Sequence, residues 1–144
     1  MPKALSVDTK PIRVLLIEDN SGDARLIREM FAEVEDTPFD LECAERLSDG
    51  LARVSAGGID AVLLDLSLPD SQGADTFARM RAHAPRVPIV VMTGHEDEAL
   101  GGQLVEHGAQ EYLVKGQVTS PLLARALRYS IERRRAEAAL RESE

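Results

Sequence analysis

Apolar positions along the chain follow two spacings. Short unbroken runs recur, each ending in polar or loop-forming residues: Val14-Leu15-Leu16-Ile17, Ala61-Val62-Leu63-Leu64 and Ile89-Val90-Val91-Met92. Runs this short and this rich in Val, Ile and Leu predict strands buried on both faces. Phe39 to Ala44 alternates instead, with Phe39, Leu41 and Cys43 on one side and Asp40 and Glu42 on the other, which predicts an edge strand. Cys43 then reads as a small buried hydrophobe. Glu111-Tyr112-Leu113-Val114 is short and mixed and fits the opposite edge.

Helical spacing fills the intervals. Leu26, Ile27, Met30, Phe31 and Val34 form one stripe of a helix over about 22–34. A second helix is predicted over 48–56, closed by Gly57-Gly58, and a third over 74–84, stopped by Pro85 and Pro88. A fourth, over 97–107, carries Gly101-Gly102 in its middle; two interior glycines cost about 2 kcal/mol relative to alanines. That helix is expected to fray, with weak amide-exchange protection across Leu100 to Val105. The last begins with Ser120 as N-cap and Pro121 as its first helical residue. Five strand-helix repeats predict an α/β, doubly wound (βα)5 sandwich of three layers, flavodoxin-like, with right-handed crossovers. With strands two and five at the edges, the parallel sheet order is 2-1-3-4-5, and ligands belong beyond the carboxyl ends of the strands at the switch between strands one and three.

Composition narrows the function. The 144 residues suit one domain, and 17 basic against 25 acidic residues leave a formal net charge of −8. That sign argues against nucleic-acid and membrane-surface partners. One cysteine cannot form an intrachain disulfide, no apolar run approaches a membrane span, and Met1 to Lys10 lacks a signal-peptide core. A cytoplasmic protein is the expectation.

Glu18-Asp19 follow the first strand, Asp65 closes the third, Thr93 the fourth and Lys115 the fifth, so all five belong to one edge of the sheet. Three carboxylates gathered there repel one another unless a cation sits among them. Hard oxygen ligands and one lysine suit Mg²⁺; the formal sum of −2 is what one divalent ion cancels. With such an ion, Asp65 can attack phosphorus as a carboxylate nucleophile while Lys115 and Thr93 meet the phosphoryl oxygens. His83, His95 and His107 show no ligand spacing.

The segments Ile17-Glu18-Asp19-Asn20, Leu64 to Gly73, Val91-Met92-Thr93-Gly94 and Tyr112-Leu113-Val114-Lys115 resemble, in order and spacing over about 12–131, the four signature segments of the response-regulator receiver domain of two-component signalling. The resemblance implies Glu18 and Asp19 as the Mg²⁺-binding acidic pair, Asp65 as phosphoacceptor and metal ligand, and the backbone carbonyl of Ser67 as a further ligand. It implies Thr93 as switch hydroxyl, Lys115 as the phosphate-pairing lysine, and Tyr112 as the aromatic whose rotamer follows the switch. Ser67 and His95 occupy the positions that tune dephosphorylation. The implied phosphodonor is a histidine kinase or phosphotransfer protein. One departure stands out: Gly116 follows the lysine where the family has proline, leaving Lys115 less oriented by its backbone.

The tail, 132–144, has four arginines and four acids and high helix propensity. A helix from Ser120 to Ser143 would be about 36 Å long. Its seam of Leu127, Ile131 and Ala138 is too poor for a coiled coil. The expected organisation is an N-terminal extension over 1–11, a receiver over 12–131 and a linker helix over 132–144 leading to a sensory, kinase or cyclase module, the chain being a fragment of a longer protein. Alternatives are a receiver-like scaffold without phosphotransfer and an aspartyl-nucleophile phosphatase, which would need a second Asp where Ser67 stands. A nucleotide- or flavin-binding fold is disfavoured by the single Gly in the turn from Glu18 to Arg25.

Overall fold

The computed structural model describes residues 10–143, so the N-terminal extension lies outside the described residues apart from Lys10 and Pro11. In chain order the elements are β1 (Ile12–Ile17), α1 (Ser21–Glu33), β2 (Phe39–Ala44), α2 (Leu47–Ser55), β3 (Ala61–Asp65), α3 (Ala74–His83), β4 (Ile89–Thr93), α4 (Glu98–Glu106), β5 (Glu111–Val114) and α5 (Ser120–Ser143). All five strands are parallel, in the order β2-β1-β3-β4-β5.

Alternation along the central strands sends side chains into two cores. Leu15, Ile17, Val62, Leu64 and Val91 face Leu47, Leu51, Val54, Phe77, Met80 and Leu104 of α2, α3 and α4. Val14, Leu16, Leu63, Val90 and Met92 face Ile27 and Phe31 of α1 and Leu123, Leu127 and Ile131 of α5. The three layers follow, and β1, β3 and β4, covered on both sides, need the unbroken apolar runs their sequences carry.

Two expectations are corrected, those for Cys43 and for the cap of the last helix. Cys43 is exposed: it stands on the edge strand β2, where its Sγ meets a solvent-facing polar side chain, Arg28 of α1, at 3.1 Å rather than the core. The cap of α5 is Thr119 rather than Ser120: its carbonyl accepts from Leu123 N at 2.9 Å and its Oγ1 from Leu122 N at 3.3 Å, while the Ser120 hydroxyl turns to Glu33. A two-residue antiparallel ribbon, Ser67–Leu68 against Ser71–Gln72, folds the loop after β3 upon itself. The predicted fourth helix runs unbroken through its glycines from Glu98 to Glu106 after a 3-10 turn over His95–Asp97.

Candidate functional site

Sheet register assembles the site. Ile17 lies opposite Leu64, Asp65 opposite Met92, and Thr93 opposite Val114, so Glu18, Asp65, Thr93 and Lys115 leave the sheet at neighbouring points of one edge. Backbone hydrogen bonds carry the ladder one residue further, from Glu18 N to Ala44 O and from Lys115 N to Thr93 O, each 2.9 Å.

At that edge the Lys115 ammonium lies 2.8 Å from Glu18 Oε1 and 3.0 Å from Asp65 Oδ2. Glu18 is only 2% exposed. Burial first, and then the neighbouring Asp65 carboxyl, push its pKa up to about 7 against the opposing pull of Lys115. Glu18 Oε2 accepts from Asn20 N at 3.2 Å; the ammonium near Oε1 stands off the line of a hydrogen bond, so that buried oxygen has an ionic neighbour but no donor aimed at it. Burial draws the Lys115 pKa down, yet its attraction to the Glu18 and Asp65 carboxylates outweighs that and the net shift is upward. Asp65, also buried, accepts at Oδ1 from Ser67 N at 3.1 Å.

Carboxylate oxygens of Glu18, Asp19 and Asp65 all lie within 4.8 Å of one another, with Asp19 exposed to the solvent side. An all-oxygen, hard donor set with one buried oxygen lacking a donor fits a divalent cation of the Mg²⁺ kind. It is the sole such group among the described residues, and no histidine joins it.

Thr93 is buried and its Oγ1 has no hydrogen-bond partner, a cost of about 1–3 kcal/mol for a hydroxyl. Tyr112, half-buried, packs against Gly101 of α4, where a Cβ would stand 2.8 Å from its ring. Gly101 is therefore the seat of Tyr112, a role the helix-propensity reading missed. Ser67 is exposed, its hydroxyl donating to Gln72 Oε1 at 3.3 Å. The side chain of His95 lies outside the described residues. Gly116 has φ 89°, a value closed to proline's ring, so the turn after Lys115 takes a different backbone path.

Two further residues escaped the sequence reading. Asp23, in the first turn of α1, places Oδ2 3.1 Å from Lys115 Nζ. Asp70 accepts at Oδ1 from Leu47 N (2.8 Å) and at Oδ2 from Ser48 N (3.0 Å), capping α2, whose own N-cap residue Arg46 makes no side-chain cap bond. Only the spacing of Asp23 from Asn20 carries a signal, since Asn20 Oδ1 accepts from Asp23 N at 2.9 Å in a helix cap.

Comparison with known proteins finds a matching family and fold. A family model described as the response regulator receiver domain matches residues 14–127. The chain is similar to the swarming motility regulation protein RssB of Serratia marcescens, 31% identical over 115 residues, which make up 79% of this chain and 51% of that protein. It is also similar to protein-glutamate methylesterase/protein-glutamine glutaminase 2 of Anaeromyxobacter dehalogenans, 34% identical over 122 residues, or 83% of this chain and 34% of that one. Among solved structures, a response regulator receiver domain protein from Clostridium thermocellum superposes with TM-score 0.73 at 26% identity, covering 86% of this chain and 97% of that chain. The first curated relatives are longer: the chain spans from 21% to 62% of their length.

Proposed function

The chain belongs to the response regulator receiver domain family, and from that premise we propose that Asp65 accepts a phosphoryl group from a histidine kinase or phosphotransfer protein in a Mg²⁺-dependent reaction that switches an output face. The observation that carries this reading is the ammonium of Lys115 held 3.0 Å from Asp65 Oδ2 and 2.8 Å from Glu18 Oε1 at the carboxyl edge of the sheet. Mg²⁺ held by Glu18, Asp19, Asp65 and the Ser67 carbonyl would supply positive charge to the phosphoryl oxygens.

A carboxylate oxygen of Asp65 attacks phosphorus; the new O–P bond forms as the bond from phosphorus to the donor nitrogen breaks, and that electron pair leaves with the imidazole. Lys115 neutralises the oxygens of the transferred group. The hydroxyl of Thr93, now unpartnered, donates to one of those oxygens and so exchanges an unsatisfied buried group for a hydrogen bond. Its movement vacates space that Tyr112 fills, displacing the ring from Gly101 and so changing the α4 face. Ser67, two residues beyond Asp65, tunes the later hydrolysis of the phosphate by water. The domain acts on itself alone; any turnover of an external substrate would belong to a linked module. Residues 132–143 continue α5 as a linker helix toward such a sensory, kinase or cyclase module, a reading supported by the unbroken helix.

Intact mass after incubation with Mg²⁺ and acetyl phosphate tests the proposal. One added phosphoryl group is expected, and none in Asp65→Asn. An unmodified wild type would point to a scaffold, and steady turnover of many phosphomonoesters to a phosphatase.

A further inference from the structure

Lys115 has a third carboxylate partner outside the acidic trio. Asp23 Oδ2 stands 3.1 Å from Nζ, against 2.8 Å for Glu18 Oε1 and 3.0 Å for Asp65 Oδ2. The ammonium has three protons, and three carboxylates surround it. Two of them, Glu18 and Asp65, also belong to the cluster that fits a divalent cation; Asp23 does not. A cation entering the cluster competes with the ammonium for those two groups and repels it as well. Asp23 is the partner left to the lysine alone.

Little else holds it. Apart from Glu18 and Asp23 themselves, the space beside Lys115 is walled by Leu26, Ile27, Met30, Met92, Leu113 and Val118, whose side chains offer a displaced ammonium no oxygen acceptor. The backbone that follows is Gly116 in the left-handed region. Asp23, by contrast, is fixed from behind. Its N–H donates to Asn20 Oδ1 at 2.9 Å, and the N–H of Asn20 donates to Glu18 Oε2 at 3.2 Å, so the short stretch from Glu18 to Asp23 braces two of the three legs around the ammonium.

We propose that Asp23 is a positioning residue that keeps the Lys115 ammonium beside Asp65 when the acidic trio takes its cation, doing through a side chain what the backbone after Lys115 leaves free. This rests on the reading of Asp65 as phosphoacceptor. Asp23→Asn keeps the cap made by its backbone N–H, so the variant folds with α1 intact.

The test measures phosphorylation by acetyl phosphate and Mg²⁺ affinity in Asp23→Asn, Lys115→Ala and the double variant. Asp23→Asn is expected to slow phosphorylation about ten-fold, to add nothing in the Lys115→Ala background, and to change Mg²⁺ affinity less than ten-fold. A second readout needs no phosphotransfer. In ¹⁵N NMR the Lys115 ammonium should give a slowly exchanging signal in wild type with and without Mg²⁺, and lose it in Asp23→Asn once Mg²⁺ is added. An equal slowing in the Lys115→Ala background would overturn the proposal, as would an ammonium signal indifferent to Asp23→Asn. A ten-fold or greater loss of Mg²⁺ affinity would overturn it too, making Asp23 a metal ligand. A wild type that takes no phosphate yet shows the NMR contrast would defeat the phosphoacceptor reading and leave the role of Asp23 standing.

Discussion

A carboxyl group buried as deeply as Glu18, with its pKa raised to about 7 chiefly by burial and then by Asp65, binds its proton more tightly in the folded chain than in the unfolded one, where the value is near 4.5. The folded state therefore holds the extra proton between those values, and the contribution of Glu18 to stability is complete below about pH 4.5 and lost as pH rises through 7. In metal-free buffer, urea unfolding should show this component weakening from pH 5 to pH 8, and Glu18→Gln should flatten that part of the profile. The glycine pair of α4 gives a sharper test at the same scale. Helix propensity alone makes both Gly101→Ala and Gly102→Ala stabilising by about 1 kcal/mol. Packing separates them: a Cβ at Gly101 would meet Tyr112 Cδ2 at 2.8 Å and Cγ at 2.9 Å, whereas at Gly102 nothing stands within 4 Å. Thermal melts should show Gly102→Ala raising the Tm and Gly101→Ala lowering it, by an overpacking cost of about 1–3 kcal/mol. Glu18, Asp19, Asp65, Thr93 and Lys115 were legible in the sequence because each follows or closes an apolar strand run. Asp23 was not, since its partner Lys115 is 92 positions away and nothing in a helix's first turn marks that contact.

Between elements, the loop after β3 is bound in more ways than a polar turn requires. Asp70 caps α2 from a distance of 22 to 23 residues, Gly73 N donates to Leu66 O at 2.7 Å, Gln72 Nε2 to Leu68 O at 2.9 Å, and the buried hydroxyls of Ser71 and Thr76 meet at 2.7 Å. The segment that presents Asp65 and Ser67 is thus tied to α2 as well as to α3. Asp70→Ala would strip the Leu47 and Ser48 N–H groups of their side-chain acceptor, and the expected loss is about 0.5–2 kcal/mol, with faster amide exchange at both residues. The N–H groups of Ser48 and Leu47 hold the Asp70 pKa below its ordinary value. Its contribution is therefore present above about pH 4 and lost as pH falls further, the opposite sign to Glu18. Strands were readable from their runs, and helices to within a residue or so at most ends. The cap of α2 was not readable, because a remote aspartate replaces the local residue that a sequence pattern looks for. Thr119 displaced Ser120 for a related reason: two adjacent hydroxyls are equivalent in sequence, and only the contact with Glu33 separates them.

For the whole molecule, the open question is where the domain ends along α5. Leu123, Ala126, Leu127 and Ile131 are buried against the sheet, and beyond Ile131 the helix buries no apolar residue; Leu140 is 64% exposed. A polar tie reaches past that point: Arg133 Nη1 donates to the carbonyl of Gln110 at 3.1 Å and to its Oε1 at 3.3 Å, at the foot of β5, the strand whose other end delivers Lys115. Charge spacing in 132–144 predicted a solvated helix, but Arg133, which bonds to Gln110, and Arg134, whose side chain is only 20% exposed, could not be told from Arg135 without the register of α5 on the sheet. Two truncations separate the domain from its extension. Removing residues 135–144 keeps Ile131 and the tie to Gln110, so the Tm should move by less than about 3 °C. Removing residues 131–144 takes both, and loss of a buried isoleucine at about 2–4 kcal/mol should lower the Tm by roughly 5–10 °C. Circular dichroism melts check this, and a large drop in the shorter truncation would move the boundary outward, making the extension part of the folded domain.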